Sequence, residues 1–189
     1  IKRIELSYDF MMSEIKKLSD NDLIILSDND EIPNLDSTQF KDSNSDIYIF
    51  KQLFFYYKFN LLYDRMYWFG SKACTKKKLK SLSWLRNLKN KKYPFWRVDT
   101  FFSKKKSSSL KIINDGGWHF TNVMSAENLY TKMTNFGHHD EFELSGLSVE
   151  DLKIKINQGV VFYDHFAGQE DKNKWEFNYK LKKISDNLL

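Results

Sequence analysis

The chain has 189 residues, with 30 Lys+Arg against 25 Asp+Glu and a formal net charge of +5, long enough for one sizeable domain. A hydrophobic content of 41%, with 16% aromatic residues, excludes a disordered chain and predicts a core rich in rings. The single Cys74 excludes an intrachain disulfide and a cysteine-based zinc site, and no apolar run approaches the ~20 residues of a membrane span.

Arg3 to Leu18 reads as an amphipathic helix, because Ile4, Tyr8, Met11, Met12, Ile15 and Leu18 recur at helical spacing with Lys16 and Lys17 on the other side. Asp20-Asn21-Asp22 ends it. Leu23-Ile24-Ile25-Leu26 is a short continuous apolar run, the pattern of a strand buried on both faces of a parallel or mixed sheet. From Ile47 to Phe69, β-branched and aromatic residues predict two or three strands, with turns near Asn60 and Asp64. Leu79, Leu82, Leu85 and Leu88 restore helical periodicity over Lys76 to Leu88. The runs Lys76-Lys77-Lys78 with Lys80, and Lys104-Lys105-Lys106, read as solvated faces rather than a nucleic-acid surface, and Lys104 to Ser109 as a surface loop. Leu110 to Asn114 is another strand, ending at Asp115-Gly116-Gly117-Trp118-His119. Ser125 opens a helix through Met133, with Glu127 in its first turn, and a further helix runs from Ser148 to Gln158. Val160 to Tyr163 is a last apolar strand, followed by a Lys-rich tail read as helical. With no repeat and no interior linker, residues 1–189 read as one domain. A helix, a buried strand and then an acidic turn predict an α/β fold with its ligand site beyond the strand ends.

Three groups of residues can carry chemistry. Asp28 and Asp30, one residue apart on a turn, can point toward one cation. Mg²⁺ and Mn²⁺ want oxygen ligands and keep waters and substrate phosphates as the rest. The alternative is an acidic turn that merely solvates a loop. Gly116 and Gly117 let backbone approach a ligand closely, beside Trp118 as a stacking face and His119 as a ligand or proton carrier. Here the alternatives are a glycine turn, a core tryptophan and a hydrogen-bonded structural histidine. Arg86 reads either as a partner for a diphosphate or as a solvated helix charge. Tyr56, Tyr57 and Trp68 read as acceptor-groove or core rings. His138-His139-Asp140-Glu141 reads as a loop that closes over a ligand, rather than a metal cluster.

Leu26-Ser27-Asp28-Asn29-Asp30-Glu31-Ile32-Pro33-Asn34 resembles the signature of glycosyltransferase family 17, the family of the bisecting β-1,4-mannosyl-glycoprotein N-acetylglucosaminyltransferase. Gly116-Gly117-Trp118-His119-Phe120-Thr121 resembles that family's Gly-Trp-His element, and Glu127 with Leu129-Tyr130 and Lys132 follows in the same order. Weaker echoes are Trp68, Gly70 and Arg86, then Phe136-Gly137-His138 with Glu141. The likeness runs from the first helix to Tyr163.

The resemblance implies a GT-A-like mixed sheet flanked by helices and an inverting, metal-dependent transfer of N-acetylglucosamine from UDP-N-acetylglucosamine to a glycan or glycoconjugate hydroxyl. Asp28 and Asp30 would hold Mn²⁺ or Mg²⁺, with Glu31 supporting the turn. Arg86 and Gly116, Gly117, Trp118 and His119 would frame the donor. Inversion needs one base for the acceptor hydroxyl. Glu127 is the first choice, although a plain helix N-terminal charge is its alternative. Glu141 follows, with Asp115 and Asp140 in reserve. A GT-A fold places the uridine-binding strands before the Asp-x-Asp strand, and only one helix precedes it here. The N-terminal nucleotide-binding strands are therefore expected to be missing, in a chain that starts at Ile1. Eukaryotic members work in the Golgi lumen, whereas a microbial or viral member would work in the cytoplasm. The rival readings are a metal-dependent phosphohydrolase and a catalytically silent carbohydrate-binding or interaction remnant. A nucleic-acid partner is not expected.

Overall fold

The computed structural model describes residues 2–41, 45–94, 96, 103, 106–107, 109–135, 139–168 and 171–185. Lys104 and Lys105 of the expected surface loop, and Phe136 to His138, lie outside them. The chain is mixed α/β and divides into two compact units, residues 1–53 with 67–119 and residues 54–66 with 120–189.

In the first unit, α1 (Lys2–Ile15) precedes β1 (Leu23–Leu26), β2 (Glu31–Pro33), α2 (Thr38–Lys41) and β3 (Ile47–Phe50). After the excursion into the second unit come β6 (Lys72–Thr75), a 3₁₀ turn (Lys76–Lys78), α3 (Leu82–Arg86), β7 (Leu110–Ile113) and the start of β8 (Gly117–Thr121). The main sheet has the order β1-β6-β3-β7. It is mixed, because β6 runs antiparallel to β1 and β3 while β3 and β7 are parallel. The inner strand β3 is apolar throughout because both faces are covered. Ile47 and Ile49 pack with Cys74, Leu85, Leu88 and Leu110 beneath α3. Tyr48 and Phe50 pack with Ala73 and Ile113 against Phe40 of α2. Fully burying side chains of this size contributes about 1.5–3 kcal/mol each.

β1 departs from the expected doubly buried strand. It lies at the sheet edge, where Leu23 is 40% exposed and only Ile24 is buried. The expected helix over Lys76 to Leu88 is broken. A strict spacing of three drifts against the 3.6-residue turn, and the chain resolves it with a 3₁₀ turn and a fresh start at Ser81, whose hydroxyl caps the Trp84 N–H. The short α3 then ends over a buried lysine. Lys72 Nζ donates to the Arg86 and Leu88 carbonyls at 2.6 and 2.7 Å, supplying the positive charge that a helix C-terminus favours.

Burial, reinforced by the Arg86 charge, pulls the Lys72 ammonium down from 10.5 to about 8. Its folded value lies below its unfolded one, so between these two values the unfolded chain binds more protons and stability rises with pH. Urea midpoints of the wild type should therefore climb relative to Lys72→Met between pH 8 and pH 10. Parallel pH profiles of the two proteins would contradict this.

The second unit contains the rest of β4 (Leu53–Tyr56), β5 (Leu61–Leu62), α4 (Ala126–Asn135), α5 (His139–Glu143), α6 (Val149–Gln158) and β9 (Val160–Val161). A 3₁₀ turn (Lys172–Glu176), β10 (Tyr179–Lys180) and β11 (Lys182–Lys183) complete it. β5 pairs antiparallel with β4 and β11, and β9 with β10. α4 packs against α5 and α6, over a core in which Phe54, Tyr56, Tyr63, Phe142 and Phe162 are fully buried. Ser148 and Asp151 form a capping box at the start of α6, which ends at Gly159 in the left-handed conformation. The tail is extended after its 3₁₀ turn, not helical. Phe177, Tyr179 and Leu181 are less exposed than Glu176, Asn178 and Lys180, which alternate with them, and alternation of that kind is a strand pattern. Among the described residues, no helix is long and apolar enough to cross a membrane.

Candidate metal and phosphate site

The acidic turn is closed by two reciprocal bonds. The Glu31 N–H donates to the Asp28 carbonyl, and the Asp28 N–H donates to Glu31 Oε2, both at 3.1 Å. β2 then leaves the turn and pairs antiparallel with β8, setting Glu31 opposite His119, Ile32 opposite Trp118 and Pro33 opposite Gly117. Side chains alternate along a strand, so Glu31 and His119 share one face and Ile32 and Trp118 the other. This ribbon brings together groups that lie 88 positions apart in sequence.

Glu31 and His119 are buried at 7% and 5% exposure. The Glu31 carboxylate accepts from Trp68 Nε1 at 2.7 Å and from Ser71 Oγ at 3.1 Å, besides the Asp28 N–H. Ser71 is in turn bonded to Ser27 Oγ at 2.7 Å and accepts from Gln52 Nε2 at 3.1 Å. The Trp68 ring lies flat on the His119 imidazole, with centroids 4.6 Å apart and planes at 13°. Burial pulls the His119 pKa below its ordinary value, against the carboxylates of Asp30, Glu31 and Asp28, which raise it. The neutral imidazole is the form that can ligate a metal.

Asp30 completes the group. Its Oδ1 lies 3.7 Å from His119 Nδ1, and Asp30, Glu31 and His119 each offer a ligand atom within 4.8 Å of the others. This mixed oxygen and nitrogen set fits Mn²⁺ better than Mg²⁺, which favours oxygen alone. Glu31 already accepts three hydrogen bonds of the roughly four a carboxylate can take, so Asp30 is the more available of the two carboxylates.

Asp28, in the same turn, is held by an arginine. Arg86 grips its carboxylate with two bonds, Nη1 to Oδ1 at 2.6 Å and Nη2 to Oδ2 at 2.7 Å. That bond, with the Arg86 charge, holds the Asp28 carboxyl below the usual carboxylate range. Tyr8 Oη lies 3.4 Å from the same guanidinium. A pocket of ≈170 Å³ opens here, lined by Leu26, Asp28, Glu31, Trp68, Phe69, Gly70 and Arg86. The structure therefore holds the Asp28 carboxylate on Arg86 and gathers Asp30 with Glu31 and His119. Among the described residues, the group of three such side chains close enough together to hold a cation is Asp30, Glu31 and His119.

Both glycines have a backbone role. The Gly116 N–H donates to the Lys51 carbonyl at 3.1 Å. Gly117 has φ +100°, and a Cβ there would sit 2.1 Å from the Ile32 carbonyl oxygen, so the ribbon needs glycine at that point. Trp118, on the face opposite His119, is partly buried. Asp115 accepts from Asn34 Nδ2 at 2.9 Å.

The two expected bases belong to the second unit. Glu127 is exposed in the first turn of α4, and its own backbone N–H and then the Ser125 hydroxyl lower its pKa. Glu141, on α5, is paired with Lys174 at 2.8 Å in a largely buried bridge. His139 and Asp140 lie 2.8 Å apart at the start of the same helix, while His138 is outside the described residues. Tyr56 and Tyr57 are buried, core rings rather than groove walls.

The sequence alone assigns no role to Ser27, Gln52 or Ser71. Polar residues at strand ends carry no spacing signal of their own, and only the fold shows that they brace Glu31. Compared with family models, with curated proteins and with solved structures, the chain finds no match in any of the three.

Proposed function

We propose that the chain is a GT-A-like glycosyltransferase domain that transfers N-acetylglucosamine, or a close sugar, from a UDP-sugar to a glycan or glycoconjugate hydroxyl, with inversion and with Mn²⁺. One observation carries this reading. The residues on which the family resemblance rests come from separate segments, yet Asp28, Glu31, Trp68, Gly70 and Arg86 line one pocket, and Glu31 joins Asp30 and His119 in the cation-capable group.

In this reading Asp30 and His119 hold the cation and Glu31 orients the turn. A cation bound there would supply positive charge to offset that of the leaving nucleoside diphosphate. The planar Arg86 guanidinium suits bidentate contact with a phosphate. Trp68 keeps the His119 ring in place from one side. Of the two carboxylates offered as base, Glu141 is committed to Lys174, and Glu127, exposed and held below the usual carboxylate range, stays the proposed base on the family resemblance alone.

Incubation with labelled UDP-N-acetylglucosamine, Mn²⁺ and glycan acceptors tests the proposal. Label should reach an acceptor and depend on the cation. Donor hydrolysis without transfer would instead indicate a phosphohydrolase, and no donor binding in calorimetry a silent remnant. Glu127→Gln should lower transfer by about 10²–10⁴-fold while leaving Mn²⁺ affinity unchanged. Transfer at the wild-type rate would remove Glu127 from the reaction.

A further inference from the structure

The Arg86–Asp28 pair joins the two halves of the site and occupies both. Arg86 is the cation that lines the pocket, and both of its terminal nitrogens are spent on Asp28 at 2.6 and 2.7 Å. Asp28 is two residues from Asp30, and its backbone N–H is tied to the carboxylate of Glu31. Both side chains are partly open to solvent, at 48% and 39%, so the pair can separate without unfolding its surroundings. A bidentate Arg–carboxylate pair and a bidentate Arg–phosphate pair use the same nitrogens, so they exclude each other.

We infer that the Arg86–Asp28 ion pair is a latch, released when a diphosphate takes Arg86, which frees the Asp28 carboxylate to strengthen cation binding beside Asp30 and His119. Cation and diphosphate then bind cooperatively through the protein. This deepens the proposed function and rests on its assignment of the cation to this turn. The pair neutralises itself when closed, so a cation alone meets a weakened acidic site and an anion alone meets an occupied arginine. Each ligand must compete with one partner of the pair, and together they separate it once. The recognised chemistry is a divalent cation with a diphosphate group, whichever nucleoside or sugar that group carries.

Calorimetry on the full chain, with Mn²⁺ alone and inorganic pyrophosphate alone, tests the latch. Arg86→Ala should tighten Mn²⁺ binding about tenfold, the scale of one charged hydrogen-bonded contact, and Asp28→Asn should tighten pyrophosphate binding by a similar factor. Removal of nearby charge could mimic the first result, so Arg86→Lys is the decisive variant. It keeps the charge but loses the two-pronged grip, and it too should tighten Mn²⁺. If Mn²⁺ and pyrophosphate both bind the wild type but Arg86→Lys leaves Mn²⁺ affinity unchanged or weaker, the latch is overturned and the metal site stands. If the wild type binds no Mn²⁺ even with pyrophosphate, the latch and the metal reading both fall.

Discussion

Asp30→Ala is expected to abolish Mn²⁺ binding and to lower transfer by about 10²–10⁴-fold, because metal stabilisation of the leaving charge is worth several kcal/mol. The fold should survive the change. The Asp30 side chain is 39% exposed, and the bonds that close the turn belong to Asp28 and Glu31. His119→Ala should match the loss of cation binding and also cost stability, because it empties a buried position against Trp68. The contrast between the two variants distinguishes a ligand that is only a ligand from one that is also packed. Isothermal titration with Mn²⁺ and a labelled-sugar assay read both. Near-normal transfer by Asp30→Ala would remove the cation from this turn.

Parts of this arrangement were legible in the sequence and parts were not, for physical reasons. Elements with a strong period were visible. α1, α4 and α6 follow from apolar spacing and first-turn carboxylates, and β3 from a stretch dense in β-branched and aromatic residues. The short ribbon strands β2 and β8 were hidden. Glu31-Ile32-Pro33 contains a proline, and Gly116-Gly117 reads as a turn. Only their pairing converts an acidic motif and a Gly-Trp-His motif into one site, and pairing partners are a property of the fold. The same pairing explains why the Gly-Trp-His string does not act as a unit. Strand alternation sends Trp118 to the face opposite His119, and the ring that reaches His119 is Trp68. Arg86 was visible as a candidate, but its bond to Asp28 was not, since nothing in a spacing of 58 residues marks an ion pair. Residue types at the site were therefore readable, whereas the division of labour among the acidic residues was not.

Gly70→Ala is expected to destabilise the first unit by about 3 kcal/mol or more, the sum of overpacking and a disrupted charged hydrogen bond. A Cβ at Gly70 would lie 1.7 Å from Glu31 Oε1 and 2.3 Å from Trp68 Nε1. These are the two atoms of the 2.7 Å bond that joins Trp68 to the acidic turn. A flexible surface carboxylate could swing aside at little cost. Glu31 cannot, because Asp28 N–H, Trp68 Nε1 and Ser71 Oγ all donate to it and it is buried. Any escape strands a buried carboxylate without its donors or pushes Trp68 off His119, so cation binding should fail along with stability. Gly168→Ala is the matched control, since no atom lies within 4 Å of a Cβ built there, and it should change stability by no more than about 0.5 kcal/mol. The mechanism is tested by adding Glu31→Ala to Gly70→Ala. If the clash with Glu31 is the cause, the double variant should lose clearly less than the sum of the two single variants in urea unfolding. Additive losses would place the damage elsewhere.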